Sequence, residues 1–281
     1  LIFTIPHELN VLWRWNRAAM AQLLFDAVRA VLLELLGDPR HLGAKPAFLS
    51  GLHTWGRSLS QHVHLHVLAA DGGLDENGAW VRPRRSHFLP ARVLMRLFRG
   101  KLLAALRQAI ERGTLRLPPD CSRERCMTLL NRLGRKKWHV YIRARYAHGQ
   151  GVAAYLARYL KGGPLKNTQL VAADESCVRF RYTPHRDEDD GGGEPIVMTL
   201  SPEAFLDRYL IHIATPRLRC VRGYGLYGQR QGAALDQARA ALGQAPVEEP
   251  EPLSAARFLA RFGQTPEAAR CPRCGAILVF V

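Results

Sequence analysis

Apolar and polar positions alternate most cleanly at residues 61–68, which read Gln-His-Val-His-Leu-His-Val-Leu. A period of two is the signature of a strand, whose successive side chains leave by opposite faces. His62, His64 and His66 therefore share one face, and Val63, Leu65 and Val67 share the other, which suits a core. Strands are also expected at residues 1–5, 47–55, 79–83 (short, at an edge), 138–145 and 196–200, with two more within 168–182. Apolar spacings of three and four predict a helix from Asn16, its expected N-cap, to Gly37, with Leu24, Val28, Val31 and Leu35 as its stripe. A second runs over 90–113 with Leu94, Phe98, Leu102, Leu106 and Ile110 inward, and others cover 123–133, 151–161 and 232–242. Ser201 and Pro202 begin one more. Asp71-Gly72-Gly73 is expected to turn the chain, 187–194 to form an acidic, Gly-rich loop, and 217–228 a loop rich in Arg, Tyr and Gly. Residues 243–252 read as a Pro- and Glu-rich linker.

Composition narrows the class. With 281 residues, 47% of them hydrophobic, the chain builds one large core or two modest ones. A formal net charge of +16 calls for a polyanionic partner, nucleic acid before an anionic membrane surface. No apolar run reaches the roughly 20 residues of a membrane-spanning helix; the nearest candidate, at 23–36, is broken by Asp26, Arg29 and Glu34. No signal-peptide pattern opens the chain. The six cysteines are scattered apart from Cys271-Pro272-Arg273-Cys274, which fits a reducing cytoplasm. The chain opens on Leu1 inside a strand pattern, which implies that the native N-terminus lies upstream.

Three imidazoles on one strand face point to a metal ion more readily than to any packing need. His53 strengthens this. Gly56, Arg57 and Ser58 supply a turn, and one centred between Ser58 and Leu59 sets His53 opposite His64. Opposed Cβ atoms lie roughly 4.5–5.5 Å apart, and a slip of one residue spoils the pairing. His64 and His66 are ranked as ligands, His53 as the third, and His62 as a neighbour. Strand 138–145 turns His139, Tyr141, Arg143 and Arg145 to one side, preceded by Lys136 and Lys137. A basic, aromatic sheet face suits single-stranded DNA or RNA; its bland counterpart is a face charged for solubility. On helix 151–161, Tyr155, Arg158 and Tyr159 fall to one side of the apolar stripe, with Lys161 just beyond. Taken alone, such tyrosines are edge residues with wet hydroxyls. Cys271 and Cys274 form half of a zinc knuckle, since tetrahedral zinc takes four ligands.

Histidines and tyrosines combine in one reaction. A phenolic oxygen attacks a phosphodiester while a metal acts as Lewis acid, and covalent capture keeps the bond available for rejoining. Tyrosines four residues apart share a helix face and allow two successive cleavages. His64-Leu65-His66 resembles the His-hydrophobe-His motif of the HUH endonucleases, and Tyr155-Leu-Ala-Arg-Tyr159 resembles the paired-tyrosine motif of their two-tyrosine transposases. Phe3-Thr4-Ile5-Pro6, His53-Thr54-Trp55-Gly56, Asp71-Gly72-Gly73, Arg181-Tyr182 and Arg222-Gly223-Tyr224-Gly225 extend the likeness, in order, to about residue 228. The resemblance is to the insertion sequence 91 family of rolling-circle transposases.

That resemblance implies an α+β, ferredoxin-like fold: an antiparallel sheet with packed helices, the histidines on a central strand and a helical insertion at about 87–135. It implies a nuclease domain over 1–230, a helical region with linker over 231–262 and the Cys knuckle over 263–281. The activity implied is nicking and joining of single-stranded DNA at transposon ends and target, with Mg²⁺ or Mn²⁺, through a 5′-phosphotyrosine. Tyr155 and Tyr159 are then the nucleophiles, and His64 and His66 the ligands. His53 completes a relaxase-like His-x10-His-x-His spacing. Arg143, Arg145, Arg158, Lys161, Lys136, Lys137 and Arg222 are the expected DNA contacts, and Zn²⁺ belongs to Cys271 and Cys274. Such a protein works in the bacterial cytoplasm, on the nucleoid when bound to DNA, and not on a membrane. Members of that family carry a Cys- and His-rich zinc-binding region before the first strand, and this sequence has none. Two alternatives follow: an inactive, truncated transposase that only binds DNA, and a replication initiator or relaxase sharing the chemistry.

Overall fold

Val63, Leu65 and Val67 are at most 1% exposed, and the strand that carries them runs through the middle of a sheet. The computed structural model describes residues 1–83, 89–143, 145–146, 149–160, 163–184, 194–246, 255–260 and 274–275, without the side chains of 157–160, 255–256 and 258. Its strands are β1 (Ile2–Thr4), β2 (Lys45–Trp55), β3 (Gln61–Leu74), β4 (Trp80–Val81), β5 (His139–Tyr141), β6 (Leu170–Ala173), β7 (Val178–Tyr182), β8 (Ile196–Leu200) and β9 (Val221–Gly225). The main sheet has the order β5-β1-β3-β2-β9, with β4 beside the far end of β3. Every pairing in it is antiparallel. The α+β class, the antiparallel sheet and the central histidine strand are as the sequence led one to expect.

Helices α1 (Asn10–Trp15), α2 (Arg17–Gly37), α3 (Ala91–Glu111) and α4 (Arg123–Arg135) build the core on the face of β3 away from the histidines. Phe3, Phe48, Leu52 and the three β3 aliphatics meet Leu24, Phe25, Val28, Val31, Phe98 and Leu102 there. Each such buried side chain contributes roughly 1.5–3 kcal/mol, so this layer fixes which way β3 faces. The helices expected as an insertion are part of this single core: Leu94, Leu106 and Leu130 are fully buried in it.

Several local expectations are corrected. Asp71-Gly72-Gly73 does not turn the chain; β3 runs through it and Gly73 pairs with Val81 of β4. The glycine serves close approach: at Gly72 (φ +147°) a Cβ would stand 2.5 Å from the Trp80 indole nitrogen and the Val81 carbonyl oxygen. The turn comes later, where the Asp75 carboxylate accepts from Asn77 and Ala79 N–H groups and Gly78 adopts φ +80°. Asn16 precedes α2 but does not cap it with its side chain. Its amide donates instead to Leu12 O (3.0 Å) and Arg116 O (2.8 Å), and its Oδ1 accepts from Arg116 N (2.7 Å). The strand expected at 138–145 is only His139–Tyr141. Trp138 is drawn into the helical core, where its indole N–H donates to Leu133 O. Residues 221–225, expected as loop, are β9, hydrogen-bonded along the edge of β2.

Strands β6, β7 and β8 form a separate three-stranded antiparallel sheet that the sequence did not set apart. Helix α6 (Pro202–Leu210), capped by the Ser201 hydroxyl, packs on it through Phe205 and Phe180. Helix α5 (Gly149–Leu160) lies on the histidine side of the main sheet, and α7 (Gly232–Ala241) covers the far end of that sheet through Ala234, Leu235 and Ala238 beside Ala47 and Ala70. The first compact unit is Leu1–Leu242, which contains α7. The second unit, Gly243–Val281, contains α8 (Ala255–Ala260). The acidic loop expected at 187–194 falls outside the described residues except for Glu194.

Asn16→Ala should destabilise the first unit by about 1–3 kcal/mol, because it orphans buried backbone groups. Urea denaturation would read this.

Candidate active site

Two strands and their connection build the cluster. β2 and β3 pair with His53 opposite His64 and Gly51 opposite His66, the register that the 56–60 turn predicts. The turn closes with Gly56 N–H on Ser60 O and Leu59 N–H on Gly56 O, and Leu59 takes φ +60° with its side chain fully buried. A register shift between His53 and Trp55 then re-aims the end of β2. On the other flank, β1 sets Thr4 beside His64 and Ile2 beside His66. Gly51 carries no side chain, so the space next to His66 is left to the imidazoles.

His53, His64 and His66 are all buried, and their nearest ligand atoms lie within 4.8 Å of one another. His64 Nε2 and His66 Nε2 face each other at 3.1 Å. His64 Nδ1–H donates to the His62 carbonyl at 2.8 Å, which makes Nε2, the nitrogen turned toward His66, the unprotonated one. Burial drives the His64 pKa down to about 3, and the neighbouring His53 and His62 lower it further. Burial likewise takes His66 down to about 2, helped by His64 and His53. These rings are neutral at pH 7, the state in which imidazole binds a metal. Converging lone pairs at this spacing fit a cation between them. The donor set is imidazole only: among the described residues no carboxylate belongs to the cluster. Asp71, an Asp near the end of this strand, is engaged elsewhere by Arg145 at 2.8 Å and Arg82 at 4.0 Å.

Helix α5 brings Tyr155 to this cluster, with its hydroxyl 3.1 Å from His66 Nδ1. Tyr146 leans on Tyr155 with ring centroids 5.9 Å apart, and the Arg143 guanidinium sits over Tyr146 at 5.8 Å. Tyr159 lies one turn further along α5; its side chain and that of Arg158 fall outside the described residues, as do Lys161 and Cys271. Cys274 is an exposed thiol. Opposed residues of an antiparallel pair share a face, so His139 beside Thr4 and Tyr141 beside Ile2 lie on the histidine face, both exposed. Lys137 is exposed near them, while Lys136 is ion-paired with Glu8. Arg222 is not brought to this site. It pairs with Ser50 on the helical face, stacks over Phe25 at 4.1 Å and donates to Gln22.

The sequence reading did not single out Tyr146 or His212, and it met Trp55 only within the His53–Gly56 stretch. Trp55 stacks on His53 with centroids 4.4 Å apart and 17° between planes. His212 ties the turn down: its Nε2–H donates to Leu59 O at 3.0 Å and its Nδ1 accepts from the Thr54 hydroxyl at 3.1 Å. An aromatic residue two positions after a ligand was the available hint for Trp55; nothing local marks His212.

Residues 47–234 match the family described as "Putative transposase". The chain belongs to this transposase family. It is 33% identical to "Putative transposase y4qJ" of Sinorhizobium fredii over 98% of its own length and 70% of that protein. It is 30% identical to the transposase for insertion sequence element IS801 of Pseudomonas savastanoi pv. phaseolicola, over its whole length and 66% of that relative. No solved structure matches the chain. The transposase family read from the histidine and tyrosine motifs is thus shown, and its matched span holds all three clustered histidines and both tyrosines. No described helix of this transposase is long and apolar enough to cross a membrane.

A depressed histidine pKa means that the unfolded chain takes up protons the folded one refuses. Stability of the metal-free protein is therefore full above pH 6.5 and lost as pH falls, by up to about 1.4 kcal/mol per pH unit for each of His64 and His66. Thermal denaturation in chelator between pH 7 and pH 5 checks this, and a His64→Gln/His66→Gln variant should show a flatter slope.

Proposed function

We propose that this chain nicks and rejoins single-stranded DNA at the ends of a mobile element and at its target, with Tyr155 as a nucleophile. The observation that carries the reading is the Tyr155 hydroxyl 3.1 Å from a ring of the buried histidine cluster. His53, His64 and His66 would hold one divalent cation, Mn²⁺ or Mg²⁺, and imidazole donors favour Mn²⁺ in vitro. When bound, that ion polarises the scissile phosphate as a Lewis acid.

The chain's own groups do the rest. The His66 ring, 3.1 Å from the Tyr155 hydroxyl, would hold and aim that oxygen, whose proton is lost to solvent as it attacks. That oxygen attacks phosphorus; the P–O3′ bond breaks, the 5′ end stays on the tyrosine, and the departing 3′ oxygen takes up a proton. The reverse attack by another 3′ hydroxyl regenerates the tyrosine and joins the strands. Tyr159, one turn along the same helix, is the second nucleophile in this reading. Tyr141, His139, Arg143, Arg145 and the Lys136–Lys137 pair would line the approach, and Arg158 and Lys161 are proposed as further DNA contacts by sequence alone. Arg222, on the opposite face, holds backbone phosphates away from the cut. Cys271 and Cys274 would give two thiolates of a zinc site that needs four ligands.

His64→Ala should abolish cleavage of a single-stranded oligonucleotide of the element's end in Mn²⁺, while its binding persists, because phosphate contacts come from Arg and Lys. A covalent 5′-phosphotyrosine should appear by mass spectrometry on Tyr155 or Tyr159. The Tyr155→Phe/Tyr159→Phe variant should form none, and nicking by that variant sinks the assignment. Tight binding with no adduct in the unmutated chain would favour the DNA-binding remnant. Cleavage at a plasmid origin rather than at element ends would favour the replication initiator.

A further inference from the structure

Beside the histidine cluster lies a cavity of about 260 Å³ that the metal centre and the tyrosines do not use. Trp13, Trp55, Leu52, Ile213 and Leu218 give it apolar walls, and Gly51 and His53 form the side it shares with the cluster. We infer that this cavity is a nucleobase subsite, which receives one unstacked base of the single strand next to the scissile phosphate. The inference rests on the function proposed above and names the part of the substrate that this corner of the site would hold.

Position is the first argument. A phosphate held between His53, His64 and Tyr155 places the neighbouring nucleotide at the end of β2, where Trp55 already stacks on His53. There β2 runs past the last β9 pairing at Gly51–Val221, so Thr54 and Trp55 are not covered by a partner strand on that side. Chemistry is the second. In a single strand the apolar planar groups are the bases, and a pocket with tryptophans in its wall suits a base better than a sugar or phosphate.

Polar groups in the wall are the third argument. Thr215 lines the cavity, and its buried hydroxyl has no hydrogen-bond partner among the described residues. A buried hydroxyl without a partner costs about 1–3 kcal/mol, a cost that a base edge would remove. Arg17, at the start of α2, also lines the cavity, half-buried, and a guanidinium offers N–H donors suited to acceptors on a base. The other polar ring in the wall, His212, has both nitrogens engaged with Thr54 and Leu59 and acts as scaffold. One free hydroxyl and one guanidinium within an apolar wall match an edge rich in acceptors, such as the O6 and N7 of guanine.

The experiment uses the full chain in Mn²⁺ with Tyr155→Phe/Tyr159→Phe, so that bound strands stay uncut. Its probe is a pool of short, random-sequence single-stranded oligonucleotides carrying one 5-iodouracil, cross-linked by light and mapped by mass spectrometry. The expected adduct is on Trp55. Leu218→Phe, which fills the cavity, should remove that adduct and weaken single-strand binding about ten-fold, the worth of one stacked base. The dependence of affinity on salt should stay unchanged, because no phosphate contact is lost. Adducts confined to Tyr141 and Tyr146, or a Trp55 adduct that survives Leu218→Phe, overturn the inference.

Should Leu218→Phe fold poorly, Arg17→Gln gives the same decision. A salt slope lowered by about 0.7, the value for one phosphate contact on a single strand, puts Arg17 on the backbone and overturns its role here. An unchanged slope with weaker binding supports it. The two readings fail separately. If the unmutated chain forms no phosphotyrosine while the Trp55 cross-link behaves as expected, the nicking chemistry falls and the subsite stands. Phosphotyrosine without the cavity-dependent cross-link does the opposite.

Discussion

The pleat of one strand governs this molecule. Val63, Leu65 and Val67 are locked into the helical core, so the intervening His62, His64 and His66 are forced onto the opposite face. Because side chains alternate strictly, a slip of one residue would drive imidazoles into the aliphatic layer and aliphatics into the site. Each misplaced aliphatic would forfeit roughly 1.5–3 kcal/mol, a large share of a domain's net stability. The hydrophobic effect on one face thus sets, at no local cost, the geometry of the polar face.

On that polar face the electrostatics run in two layers. At the centre, burial keeps His64 and His66 uncharged and leaves lone pairs converging. Around it the chain is strongly basic, +16 overall. Part of that charge is paired locally, as Arg145 is with Asp71 at 2.8 Å.

Much of this was legible in the chain. Alternation marked β3, helical spacing marked α2 and α3, and the turn residues at 56–58 marked the pairing of His53 with His64, because each depends on local periodicity. What local rules missed depends on distant partners. The glycines at 72 and 73 look like a turn, yet they exist to let β4 approach. Asn16 looks like a cap, yet its amide is spent on Arg116, a hundred residues away. Residues 221–225 look like loop because glycines interrupt them, and they become a strand only because the edge of β2 is there to receive them. The contact of Tyr155 with His66 spans 89 residues, and no periodicity encodes it.

That separation along the chain has a consequence for synthesis. The metal-facing half of the site is a hairpin, His53 to His66, able to close on its own within about 1–10 μs. Its phenol arrives much later, after α3, α4 and β5 have left the ribosome, and β9 seals the sheet edge later still. A nascent chain therefore passes through a stage with the imidazoles assembled and the Tyr155 hydroxyl not yet beside them. The order of the elements completes this cluster only when most of the first unit has emerged.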